Sequence, residues 1–247
     1  MSTPGILPIP SSKSAPDPPV TSKPVSILDN DIARLASNIH PILLLSIPLL
    51  SFPRLVDDPI SALIGLASTT AVIQLLYCLI CLPSTGQAPP PPLKPGQKRK
   101  SVKLAQDLGA RLVPALLSLL LSLFLSTPLL YITLILFGGP LMTHLPHTAL
   151  LALHLALLIT PQLYYVHGLD ALTWRRIVSL QLPVDEVVGM SMGACVGAWL
   201  GAIPIPLDWD REWQKWPVTV VSGAYVGAVV GKLVGGHLMR GWKIKMS

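Results

Sequence analysis

Apolar residues in this 247-residue chain gather into long blocks and do not alternate with polar ones. A block of about 20 apolar residues is what a helix needs to cross the hydrocarbon of a bilayer. Six blocks approach that length: residues 39–52 (IHPILLLSIPLLSF), 60–82, 112–137, 145–166, 187–203 and 218–238. The pattern predicts an all-α polytopic membrane protein of about six transmembrane helices joined by short loops. The first block is short and interrupted by Pro41 and Pro48. The third is long enough to tilt, and Pro128 predicts a kink within it.

Composition agrees, with 51% hydrophobic and 12% charged residues and a mean hydropathy of +0.60. About 25% charged is usual for a soluble domain, so water-soluble classes are excluded. Three cysteines in apolar runs imply no disulfide framework. Residues 1–37, rich in proline and serine, read as a disordered tail and not a cleaved signal peptide. The six-helix region is placed at 38–238, with a proline-rich basic loop at 83–107, and 239–247 form a short tail.

Charge sets the orientation. The tail, the second-to-third and fourth-to-fifth loops and the C-terminus, together side A, hold 14 of the 18 Lys and Arg residues, against three on the opposite side B (Arg54, Arg211, Lys215). The positive-inside rule puts side A and both termini in the cytosol. The net charge of +6 therefore reflects topology, not nucleic-acid binding. The loop PPPPLKPGQKRKSVK reads as a stiff topogenic linker, or as a segment that binds a polyproline reader or anionic headgroups.

Two blocks carry glycine at every fourth position: Gly189, Gly193, Gly197 and Gly201, then Gly223, Gly227, Gly231 and Gly235. Four residues advance a helix by about 400°, so each set forms a slowly drifting stripe. In lipid, hydrophobicity cannot drive helices together, and close backbone approach through small residues supplies the contact. Ala194, Ala198, Ala202, Ala224 and Ala228 widen the stripes. The short connecting loop makes the helices antiparallel, packed ladder to ladder or offering a flat seam to another subunit. Glycine-rich helices that break around a transported substrate are the competing reading, but no proline interrupts either ladder.

In the loop PIPLDWDREWQKWP, the spacing of Trp209, Trp213 and Trp216 predicts a short helix lying in the side-B interface, an anchor or a docking surface. Candidate chemistry is sparse. His144 and His147 with Asp57 and Asp58 would make a metal site of mixed ligands, but H-x-x-H is a weak pattern. His154 lies mid-span, as a functional group or a hydrogen-bonding core residue. Lys232 is close enough to the side-A end to snorkel. Cys78 and Cys81 read as buried thiols or as palmitoylation sites. The side-B loops, about seven, seven and fourteen residues long, are far below the roughly 50 residues of a soluble catalytic domain. No P-loop, serine elbow or zinc-helix motif occurs. No catalytic, cofactor-binding or metal-binding residues are assigned.

The chain ends in KIKMS, and Lys243 and Lys245 fit the spacing of a di-lysine signal that retrieves membrane proteins to the endoplasmic reticulum. The run GAWLGAIPIPLDWDREWQKWPVTVVSGAYVGAVVG resembles the PIG-F family of glycosylphosphatidylinositol-anchor biosynthesis, in its fungal form. The resemblance covers about 185–236, with Pro204, Pro206, the tryptophan loop and both ladders; across the first four spans it rests on layout. It implies a multi-pass protein of the endoplasmic reticulum. Such a protein holds and stabilises the large catalytic subunit that transfers phosphoethanolamine from phosphatidylethanolamine to mannoses of the anchor precursor. The chemistry would belong to that partner. The alternative is a transporter or scramblase for phosphatidylethanolamine or the anchor precursor.

Overall fold

The computed structural model describes residues 23–85 and 104–243. The tail before Lys23, most of the basic loop and Lys245 lie outside the described residues. Within them the chain is helical and forms no strand. Ten α-helices occur in the order α1 (Asp31–Leu50), α2 (Phe52–Asp57), α3 (Pro59–Cys81), α4 (Leu104–Leu121), α5 (Thr127–Leu136), α6 (Leu145–Ile159), α7 (Pro161–His167), α8 (Ala171–Val178), α9 (Glu186–Ala202) and α10 (Val218–Leu233).

Among the described residues, five stretches are long and apolar enough to cross a membrane: 31–50, 59–81, 109–136, 145–167 and 218–238. The fifth sequence block forms α9, which at 17 residues falls below that length. At 1.5 Å per residue α9 is about 25 Å long, against about 30 Å of hydrocarbon. The first span is longer than its sequence block. It starts at Asp31, inside the expected tail, because Asn30 caps it by accepting a hydrogen bond from Ala33 N at 2.6 Å. It continues through Pro41 and Pro48 without a break.

The third span is peripheral, with 11% of its best apolar window buried. Ahead of Pro128 it passes through a π-helical turn, Ser122–Ser126. There Thr127 Oγ1 donates to Ser122 O (3.0 Å) and Thr160 Oγ1 donates to Ser122 Oγ (2.8 Å). The expected disturbance at Pro128 thus takes the form of a widened turn in which the Ser122 carbonyl accepts from a hydroxyl. The fourth span, α6 and α7, is the most enclosed, at 72% buried, and packs against α3, α5, α9 and α10.

His154 on α6 is fully buried and hydrogen-bonds two neighbouring helices. Its Nε2 lies 3.0 Å from Leu63 O, so that nitrogen carries the proton. Nδ1 then accepts from the Tyr225 hydroxyl at 2.8 Å, and the Tyr225 oxygen is free to accept from Thr70. The chain of bonds ties α3, α6 and α10 together at mid-membrane. Tyr225→Phe should lower stability by about 1–2 kcal/mol in a detergent melt; a melt equal to wild type would deny the chain a structural role.

Candidate functional site

The two glycine ladders face each other. A Cβ built on Gly193 would stand 2.1 Å from Gly227 O and 2.7 Å from Gly231 Cα, and one on Gly197 2.1 Å from Gly223 O. A Cβ on Gly189 would meet Gly231 O at 2.3 Å, and on Gly201 Thr219 O at 2.4 Å. The reverse contacts from Gly223, Gly227, Gly231 and Gly235 are as short, between 2.1 and 2.4 Å, and the obstacle is always backbone. α9 and α10 therefore touch main chain to main chain along the whole seam, in strict antiparallel register.

Ala194, Ala198, Ala224 and Ala228 are buried on the inner side of this pair, against the rest of the bundle. The outer side holds the half-exposed Val196, Leu200, Val226 and Val230. Between these side chains the bare seam leaves an apolar furrow of about 630 Å³ with Met192 and Val234 on its walls.

The side-A end of the pair is laced together by polar groups. Asp185 caps α9, its Oδ1 accepting from Val187 N and Val188 N (both 2.9 Å). Its Oδ2 accepts from Val25 N at 2.9 Å, and Val184 N donates to Trp242 O at 2.8 Å. The residues before α1 and after α10 are thereby fastened over the start of α9.

Deeper, Lys232 is 3% exposed and does not snorkel. Its Nζ donates to Ser37 O at 2.9 Å, lies 3.8 Å from Glu186 Oε2 and sits 4.1 Å from the centre of the Tyr77 ring. Glu186 Oε2 accepts from Tyr77 OH and Ser37 Oγ, each at 3.1 Å. His40 stacks on Tyr77 with ring centres 4.2 Å apart. Glu186 finds room because Gly236 is bare: a Cβ there would stand 2.6 Å from Glu186 Cγ. Neither Glu186 nor this cluster was legible as a site, because its members come from four separate segments. Cys78 and Cys81 lie alongside, both buried free thiols.

The tryptophan loop differs from the helix its spacing predicts. Only Glu212–Gln214 forms a single 3₁₀ turn. Gln214 holds the loop open: its Nε2 donates to Pro204 O (2.8 Å) and Leu207 O (2.9 Å), and its Oε1 accepts from Arg211 N (2.8 Å). Trp209 is exposed and lies beside Trp213, ring centres 5.8 Å apart, while Trp216 turns inward and donates from Nε1 to Thr148 Oγ1 at 3.1 Å. The three indoles therefore do not share one face.

His144 and His147 touch edge to face at 5.3 Å. Among the described residues no three His, Cys, Asp or Glu side chains converge as metal ligands would. Lys243 is exposed at the end of the described residues.

The family described as "GPI biosynthesis protein family Pig-F" matches residues 39–236, which takes in the ladder pair, the loop between, most of the first span and the next three. The chain belongs to the Pig-F family. Three curated fungal relatives, each called glycosylphosphatidylinositol anchor biosynthesis protein 11, are similar over most of their length. That of Pyricularia oryzae is 42% identical, covering 97% of this chain and 92% of the relative. Those of Neurospora crassa and Aspergillus fumigatus are 41% and 40% identical, each covering 90% of this chain and 82% and 87% of the relative. No solved structure matches this Pig-F chain. The family match extends the likeness seen in the last two spans across the bundle.

Proposed function

We propose that this chain is a non-catalytic accessory subunit of an endoplasmic-reticulum phosphoethanolamine transferase in glycosylphosphatidylinositol-anchor assembly, and that it seats a transmembrane helix of the large catalytic subunit. The observation that carries the reading is the apolar furrow on the outer side of the glycine seam. Its floor is backbone and its walls are valine and leucine, so a partner helix would gain close van der Waals contact unavailable from lipid-exposed side chains. Each ladder spans twelve residues, roughly 18 Å of helix, which suits one partner helix. The short side-B segments and the fungal relatives' shared name support a role in anchor synthesis whose transfer chemistry sits on a partner. A transporter reading expects broken helices, whereas α9 is continuous from Glu186 to Ala202 and α10 from Val218 to Leu233, and only the last rung, Gly235, lies in a π-helical turn, Val234–Leu238.

The test fills the furrow without touching the seam. Val226→Trp places an indole on a half-exposed wall. Recovery of the large transferase on the tagged chain in mild detergent should fall at least tenfold while the isolated chain melts as wild type does. Undiminished recovery would overturn the docking role of this face.

A further inference from the structure

The segments that flank the bundle meet on side A, which charge places in the cytosol. Before α1, Val25 N donates to Asp185 Oδ2 and Leu28 N to Cys81 O, both at 2.9 Å. After α10, Gly241 N donates to Val184 O and Val184 N to Trp242 O, both at 2.8 Å. Both segments are thus tied to Val184 and Asp185 at the start of α9. A side-chain bond joins them directly: Arg240 Nη2 donates to Ser26 Oγ at 3.1 Å.

Ser26 and Arg240 are both exposed, and residues 23–28 form no helix. Ser26 lies between two main-chain fastenings, at Val25 and Leu28, on the outside of the fold. Surface hydrogen bonds of this kind open locally at small cost, so the segment is available to an enzyme in extended form. Lys23 stands three residues before the hydroxyl and Asp29 three after it, and Asp29 is paired with Arg34. Two other side-A hydroxyls are differently placed. Thr173 Oγ1 donates to Asp170 Oδ2 at 2.7 Å, and Ser179 Oγ donates to Arg175 O at 2.8 Å. The first faces a carboxylate and the second is turned onto its own helix, whereas Ser26 faces a guanidinium.

We propose that Ser26 is a phosphorylation site and that its phosphate locks the two segments together through Arg240. In the modification the Ser26 oxygen attacks the γ-phosphorus of a nucleoside triphosphate held by a cytosolic protein kinase. An O–P bond forms at Ser26, the bond from the γ-phosphorus to the leaving nucleoside diphosphate breaks, and the hydroxyl proton passes to the kinase's catalytic carboxylate. The product carries a charge of about −1.5 to −2 at pH 7 and three strong acceptor oxygens. A guanidinium already 3.1 Å from Ser26 Oγ then grips two of those oxygens with paired donors. The neutral hydroxyl offers it a single weak acceptor against the entropy of a long exposed side chain, so the unmodified chain holds the loose form of the clasp. Asp185 immediately precedes Glu186, the partner of Lys232, and the locked form therefore closes over the start of the ladder pair.

The inference goes beyond the accessory-subunit reading and is tested on the chain by itself, so either can fail without the other. Full-length chain is purified from a fungal host with phosphatase inhibitors, and its peptides are mapped by mass spectrometry. Phosphate is expected on Ser26. In parallel, phosphoserine is installed directly at Ser26 and amide hydrogen exchange is followed in detergent. Exchange of the Val25 and Gly241 amides should slow about tenfold relative to the unmodified chain. In Arg240→Gln, an exposed change that leaves the bundle untouched, phosphoserine should give no slowing. Absence of phosphate from Ser26 in the cellular chain, unchanged exchange with phosphoserine, or equal slowing in Arg240→Gln would overturn it.

Discussion

Gly227→Ala is expected to unfold the last two spans from each other, although alanine is the better helix former by about 1 kcal/mol. The new methyl would stand 2.1 Å from Gly193 O and 2.7 Å from Gly197 Cα. Ordinary van der Waals contact begins at 3.4 Å, and both obstacles are backbone, so no rotamer change relieves the clash. The helices must separate along the seam, which removes the contacts of neighbouring rungs as well. Overpacking of this kind costs about 1–3 kcal/mol and sometimes more. With rigid main chain on both sides the upper end applies, so a loss above about 3 kcal/mol is expected. Gly65→Ala supplies the control, because nothing lies within 4 Å of that position. It should be neutral or up to about 1 kcal/mol stabilising, by helix propensity alone. Thermal melting of both variants in one detergent decides the matter. If Gly227→Ala melts at or above the wild type, the seam is looser than its geometry says. Gly227→Leu should leave no folded monomer and no transferase on the affinity resin, and full assembly of that variant would sink a seam-dependent partner site.

The contrast between those two glycines shows what the chain's pattern reveals. Eight glycines at a four-residue period state a requirement for close approach whatever their partner, and the blocks of apolar residues state how many helices cross. The pattern leaves open what each ladder meets, since an identical stripe serves an internal neighbour or another subunit. The structure places α9 against α10 and exposes a furrow on the outer side. At Trp209, Trp213 and Trp216 the period is misleading. Gln214 reaches back to Pro204 O and Leu207 O, contacts seven and ten residues away that no helical spacing encodes. The α1 boundary was displaced for a local reason, the Asn30 cap, which a composition shift hides.

The mid-membrane and side-A polar groups were the least legible, because burial of a charge is decided by what lies opposite. His154 is answered by Leu63 O and Tyr225, both distant in sequence. Arg54 reads in the sequence as a side-B charge and Asp57 as a candidate metal ligand, and their place beside one cleft depends on the bare face of α3 at Gly65.

Glu186→Gln should cost about 3–5 kcal/mol, the penalty for stranding one member of a buried ion pair. Lys232 would keep Ser37 O, the Tyr77 ring and His40 Nδ1 at 3.4 Å, with no carboxylate against its ammonium at 3% exposure. Lys232→Met should be the milder change, because Glu186 retains two donors, Ser37 Oγ and Tyr77 OH, although its charge is left unopposed. Glu186→Gln with Lys232→Met removes both charges and should recover at least about 1 kcal/mol relative to the sum of the single losses. Melting of the three variants in detergent measures this coupling, and strictly additive losses would show that the pair is incidental. The pair matters beyond its energy because the ladders alone allow α9 and α10 to slide by four residues and meet glycine again. Only one register sets Lys232 of α10 against Glu186 of α9 and Ser37 of α1 together. A sliding seam is what loss of the pair should expose, seen as cross-linking between cysteines introduced at Val196 and Val226 that spreads to pairs one turn away.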